Sequence, residues 1–78
     1  MQGGTVANPL QDRYAEVLLE RIRSDRHPSA THMSLFESVA SDRMLVAYIL
    51  ILLEKIEDDP NPSIPLMRRV SGLIARFG

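Results

Sequence analysis

The strongest constraint on the fold is the run Met44–Leu53, ten residues without a charged or amide side chain. The run is too short to cross a bilayer, which takes about 20 apolar residues. An N-cap signal precedes it at Ser41 and Asp42, and the apolar pattern continues to Ile56 before an acidic stretch and Pro60. A pattern of about 15 residues with these ends suits a helix better than a strand. The run therefore predicts a helix in the core of a soluble domain.

The predicted central helix is apolar on nearly all sides. One broad face contains Met44, Leu45, Tyr48, Ile49, Leu52 and Ile56. Almost behind that face, Val46, Leu50 and Leu53 form a second stripe with i, i+4, i+7 spacing. Because a helix with this pattern is normally buried on nearly all sides, we expect both faces to be covered.

Length and composition narrow the class of protein. Seventy-eight residues make one domain, which we expect at residues 8–78 after a flexible N-terminal tail, 1–7. A small core often needs a disulfide, a metal or oligomerisation for added stability, and the absence of cysteine makes oligomerisation the best candidate. The net charge of −1 gives no global attraction to nucleic acid or to an anionic membrane. The first residues do not resemble a signal peptide, and we expect a cytoplasmic location.

The chain also repeats itself with a period of 34 residues. Nine positions are identical when the chain is shifted by that period: Tyr14/Tyr48, Leu18/Leu52, Leu19/Leu53, Glu20/Glu54, Ile22/Ile56, Asp25/Asp59, Pro28/Pro62, Ser29/Ser63 and Met33/Met67. The shift also aligns the capping residues Asn8 and Asp42. We therefore predict an all-α, compact four-helix domain built from two 34-residue helical hairpins, 8–41 and 42–75, with helices at about 9–24, 30–40, 43–57 and 64–77.

The apolar faces of the other three helices are expected to complete the core. They contain Leu10, Tyr14, Val17, Leu18 and Ile22 in the first helix, Met33, Phe36, Val39 and Ala40 in the second, and Met67, Val70, Leu73, Ile74 and Phe77 in the fourth. Gly72, in the middle of the fourth helix, costs about 1 kcal/mol against alanine, and we expect it to mark a close approach of two helices.

The two copies differ where an interaction surface is expected. Asp12 and Glu16 of the first helix align with Val46 and Leu50 of the third, so a polar face in one copy is apolar in the other. This face could be covered by the N-terminal tail or the fourth helix. It could also be covered by the same face of a second molecule across a two-fold axis. We favour the homodimer, with Val46, Leu50 and Leu53 as the partner interface, in a non-enzymatic protein–protein interaction or assembly module.

The sequence contains few residues that suggest chemistry. His27, His32 and Asp25 lack the i, i+4 spacing of a helical zinc site, and the second copy has Asn61 and Leu66 in place of the two histidines. We therefore expect no metal and no other cofactor.

Catalysis is also not expected. Glu20 and Glu54 occupy equivalent positions, but each is followed by a basic residue and no catalytic signature accompanies them. We interpret them as surface charges, with Glu20 pairing with Arg23 or Ser24, and we predict that the protein is not an enzyme.

The alternative function is a small dimeric DNA-binding regulator. Arg68, Arg69 and Arg76 lie on the last helix behind the cap Ser63, and a capped basic helix after a tight turn can enter a major groove. Against this stand the overall net charge and the acidic residues just before that helix.

Overall fold

The computed structural model describes residues 8–78, and these form four α-helices and no strand. The helices are α1 (Pro9–Ser24), α2 (Ala30–Val39), α3 (Asp42–Asp58) and α4 (Ile64–Phe77). The predicted all-α class and the number of helices are confirmed, and each helix end lies within one residue of its predicted position. The tail predicted at residues 1–7 falls outside the described residues.

Side-chain caps explain why three of the helices begin where they do. Asn8 Oδ1 accepts hydrogen bonds from the backbone N–H groups of Leu10 and Gln11, both at 3.2 Å, and Pro9 occupies the first turn. Ser29 and Ser63 cap α2 and α4. Asp42 was predicted to cap α3, but it is the first residue of that helix. An acidic residue is also favourable there because it faces the positive end of the helix dipole.

The turn before α2 and the turn before α4 make the same hydrogen bonds. Asp25 Oδ1 accepts from the backbone N–H of His27 at 3.1 Å, and Asp59 Oδ1 accepts from that of Asn61 at 2.9 Å. Each turn ends at its serine cap, whose hydroxyl accepts a backbone N–H three residues later at 3.1 Å in α2 and 3.2 Å in α4. Local side-chain bonds of this kind stop one helix and start the next within a few residues.

Within residues 8–78 the chain divides into two compact units, with the boundary between Asp42 and Arg43. In the first unit α1 packs on α2, and Gln11 Nε2 donates a hydrogen bond to the backbone carbonyl of Val39 at 3.2 Å. The buried side chains of this unit are Ala15, Leu18, Ile22, Met33 and Phe36. Those of the second unit are Leu45, Tyr48, Ile49, Leu52, Val70 and Leu73.

Several residues expected in the core lie on the surface. The predicted burial of Leu10, Tyr14 and Val17 is wrong, because α1 turns the sector containing Ala15, Leu18 and Ile22 inward. The first three residues are 82%, 45% and 49% exposed. A helix that is apolar over two neighbouring sectors can bury only one of them against a single neighbouring helix.

α4 also departs from the expected pattern. Ile74 and Phe77 are exposed, whereas Val70 and Leu73 are buried as predicted. A Cβ atom added at Gly72 would have no neighbour within 4 Å, so this glycine does not mark a close approach of helices. Among the described residues, no helix combines the length and the apolar character needed to cross a bilayer.

Candidate interaction surface

The outer side of α3 carries large apolar side chains in contact with solvent. Val46 is 48% exposed and Leu50 is 58% exposed, while Leu53 at the edge is half-buried. We call these three residues the α3 stripe. Within residues 8–78, Val46 and Leu50 are therefore only partly covered, and the back of α3 presents apolar side chains to solvent.

The buried side of α3 explains why the stripe faces outward. Leu45, Tyr48, Ile49 and Leu52 are buried and recur at helical spacing, so they fix the rotation of the helix about its axis. Positions 46 and 50 then lie behind the core-facing side, where a single-domain helix normally presents polar residues. Apolar side chains at these positions are the exception that an interaction surface would explain.

Charged residues stand at the two ends of the α3 stripe. Arg43 and Glu57 lie seven residues before and after Leu50, and both are exposed. Among residues 8–78, neither side chain makes a hydrogen bond or an ion pair. The stripe is therefore an apolar strip with a cation near the N-terminal end of the helix and an anion near its C-terminal end.

A second exposed apolar strip lies on α1, where the sequence pattern predicts core residues. It consists of Leu10, Tyr14 and Val17, which we call the α1 stripe. An ion pair between Arg13 and Glu16, 3.5 Å long, lies on the same helix. The sequence feature that could have predicted this exposed strip is the width of the apolar sector of α1, which is more than one packed helix can cover.

The arginines of α4 fall on one side of the helix. Arg68 and Arg76 are eight residues apart, a little over two turns, and both are exposed. Arg69 is half-buried on the same side. Gly72 lies between them, and a Cβ atom added there would meet open space, so this side has little side-chain bulk at its centre. The apolar residues Val70 and Leu73 of the same helix are buried.

The histidines take part in local structure. The backbone N–H of His27 bonds to the Asp25 carboxylate, and that of His32 bonds to the hydroxyl of Ser29. Within residues 8–78, no three His, Cys, Asp or Glu side chains are grouped so that they could hold a metal ion. The side chains of Asp25 and Ser29 accept the hydrogen bonds that form the turn and the helix cap.

Glu20 forms a local network on the surface of α1. Its carboxylate accepts hydrogen bonds from Arg23 Nε at 3.1 Å, Arg23 Nη2 at 2.7 Å and Ser24 Oγ at 3.0 Å, which confirms the predicted pairing. The hydrogen bonds from Arg23, and then that from Ser24, lower the pKa of Glu20 below its ordinary value of 4.5. A general acid at neutral pH needs a raised pKa, so this environment favours a surface ion pair.

Comparison of the chain with protein families, with curated proteins and with solved structures found no significant match in any of the three. The interpretation of function therefore depends on the chain's own surface.

Proposed function

We propose that this protein is a non-enzymatic helical interaction or assembly module that forms a homodimer through the α3 stripe, Val46, Leu50 and Leu53. The observation that carries the proposal is the exposure of Val46 and Leu50 on a helix whose opposite side is fixed in the core. In a two-fold dimer the same face is buried on both copies, so each apolar side chain contributes twice.

The energetics favour a weak dimer. Fully burying a valine or leucine side chain contributes about 1.5 to 3 kcal/mol, and the side chains of the α3 stripe are already partly buried. A single helix face of this length gives an interface at the low end of the size range for specific complexes. Because association also carries an entropic cost of about 4 kcal/mol or more, we expect a weak dimer that forms at high protein concentration.

We also propose the finer organisation of the fold: one domain, residues 8–78, built from two 34-residue helical hairpins, 8–41 and 42–75. The matching turns support it, since Asp25 and Asp59 accept equivalent hydrogen bonds at positions 34 residues apart. The serine caps Ser29 and Ser63 have the same spacing. The boundary between the two compact units falls one residue after the boundary between the proposed copies.

Sedimentation velocity over a range of protein concentrations tests the homodimer. Leu50→Glu should leave the fold intact, because the side chain is exposed, and should weaken dimerisation at least about 100-fold by placing two carboxylates in an apolar interface. Val17→Glu is the matched control, since Val17 is an apolar side chain on another helix, α1, and its exposed fraction is similar to that of Leu50. A wild-type chain that stays monomeric at high concentration contradicts the proposal, as does a Leu50→Glu variant that assembles normally.

A second candidate function is DNA binding by α4, supported by the position of Arg68, Arg69 and Arg76 on one side of that helix. In that case affinity for duplex DNA falls steeply with salt, and Arg68→Ala lowers both the affinity and the salt dependence. Binding that is absent at low salt, or unchanged in Arg68→Ala, excludes this function.

We keep the cytoplasmic location as part of the proposal, because the chain has no cysteine and fits a reducing compartment.

A further inference from the structure

We propose that the two copies pair their α3 helices antiparallel, with the two-fold axis near Leu50 and with Arg43 of each copy beside Glu57 of the other. This inference rests on the proposed homodimer and specifies its orientation and the residues that select it.

The exposed side of α3 has the spacing of a coiled-coil seam. Arg43, Val46, Leu50, Leu53 and Glu57 follow each other at intervals of three, four, three and four residues. This alternation keeps side chains on one line when two helices cross at a shallow angle. The centre of the line is apolar and its two ends are charged. Such a line fits a second helix of the same kind better than an irregular peptide.

The charges distinguish the two possible orientations. Arg43 and Glu57 are 14 residues apart, which is about 21 Å along the helix axis, with Leu50 midway between them. A parallel pair places Arg43 beside Arg43 and Glu57 beside Glu57, which is repulsive at both ends. An antiparallel pair places opposite charges together at both ends and also aligns the helix dipoles favourably.

The structure leaves both charged side chains available for this role. Arg43 and Glu57 are exposed, and their side chains have no hydrogen bond or ion pair among residues 8–78. By contrast, Arg13 and Arg23 on α1 each contact a glutamate on their own helix. The charges at the ends of the α3 stripe therefore need no rearrangement of existing ion pairs before they meet a partner.

Charge reversal tests the orientation. Arg43→Glu and Glu57→Arg should each weaken dimerisation about tenfold at low salt, because each change makes both end contacts repulsive. The double variant Arg43→Glu/Glu57→Arg exchanges the two charges and should return the dissociation constant to within about threefold of wild type. Single variants that dimerise like wild type, or a double variant no better than either single one, overturn the antiparallel arrangement.

Disulfide cross-linking gives an independent readout, because the chain contains no cysteine. A disulfide requires Cα atoms within about 7 Å, so in the antiparallel dimer Leu50→Cys cross-links to itself. Arg43→Cys and Glu57→Cys cross-link to each other when mixed, but neither does so alone, since equivalent positions are about 21 Å apart. Cross-linking of Arg43→Cys to itself shows a parallel pair and overturns the inference.

These experiments separate the two proposals. If the wild-type chain is monomeric, the homodimer itself fails. If the chain dimerises and depends on Leu50, but the charge and cysteine variants follow the parallel pattern, only the orientation fails. A dimer that is lost in Val17→Glu and retained in Leu50→Glu places the contact on the α1 stripe and overturns both proposals.

Discussion

α1 and α3 have closely related sequences and present different surfaces. Tyr14 of α1 and Tyr48 of α3 are identical residues 34 positions apart, yet Tyr14 is 45% exposed and Tyr48 is fully buried. Leu18 and Leu52, the next aligned pair, are both buried. The two helices therefore share an inner position and differ in the sector beside it.

The difference shows what an apolar pattern can and cannot specify. α1 has polar residues at Asp12 and Glu16 and exposes the α1 stripe, whereas α3 has Val46 and Leu50 at the aligned positions and exposes those instead. Each helix has more apolar surface than its own unit buries. The choice of the exposed sector depends on packing that the pattern does not encode.

The largest expected effect comes from truncating the two aligned tyrosines. Tyr48→Ala removes a fully buried aromatic side chain and should lower the free energy of unfolding by about 3 kcal/mol or more. Tyr14→Ala, the matched control, should change it by less than about 1 kcal/mol. Urea denaturation followed by circular dichroism measures both. Equal losses in the two variants would show that Tyr14 is also buried, and would remove the contrast between α1 and α3.

The serine caps should show an intermediate effect. Ser29→Ala and Ser63→Ala each remove a hydroxyl that accepts a backbone N–H, and each should cost about 1 kcal/mol of stability. Replacing either serine with aspartate keeps an acceptor and serves as the control. Similar losses in the two variants support equivalent turns in the two copies. A loss of stability at only one cap would show that the two turns make the same hydrogen bonds but do not contribute equally to stability.

The smallest effect concerns Glu20 and pH. Its pKa is lowered in the folded state, so the pair contributes stability above the ordinary value of 4.5 and loses that contribution as the pH falls through the folded pKa. Because the carboxylate is solvent-exposed, the change in stability should be small. An NMR titration of the Glu20 side chain measures the shift directly. Arg23→Gln should return the pKa toward its ordinary value, and an unchanged titration in that variant would assign the shift to another cause.

Local signals made most of the fold predictable. Asn8 before Pro9, and the Pro-Ser pairs before α2 and α4, are caps and breakers whose effects act within a few residues. The helix ends follow from these signals, because capping does not depend on distant parts of the chain. The α3 stripe was also recognisable, since apolar residues replaced aligned polar ones at Val46 and Leu50.

The features that the sequence did not predict depend on packing between helices. The burial of Ala15 in place of Tyr14 could not be predicted from the apolar pattern, because the sector of α1 around Ala15 and the sector around Tyr14 are both apolar. A glycine in the middle of a helix predicts close packing at Gly72, but this residue lies on an open side of α4. The charges at Arg43 and Glu57 became informative only when the rotation of α3 placed them in line with Leu50.

Leu10, 82% exposed at the start of α1, bears on how the molecule behaves in concentrated solution. If the α1 stripe of one molecule met the α3 stripe of the next, the two unlike faces would leave a free face at each end, and an assembly that did not close into a ring would grow as a filament. Pairing α3 with α3 closes after two molecules and uses up one of the two faces that such growth requires. A self-matching face would therefore limit polymer growth as well as join two copies.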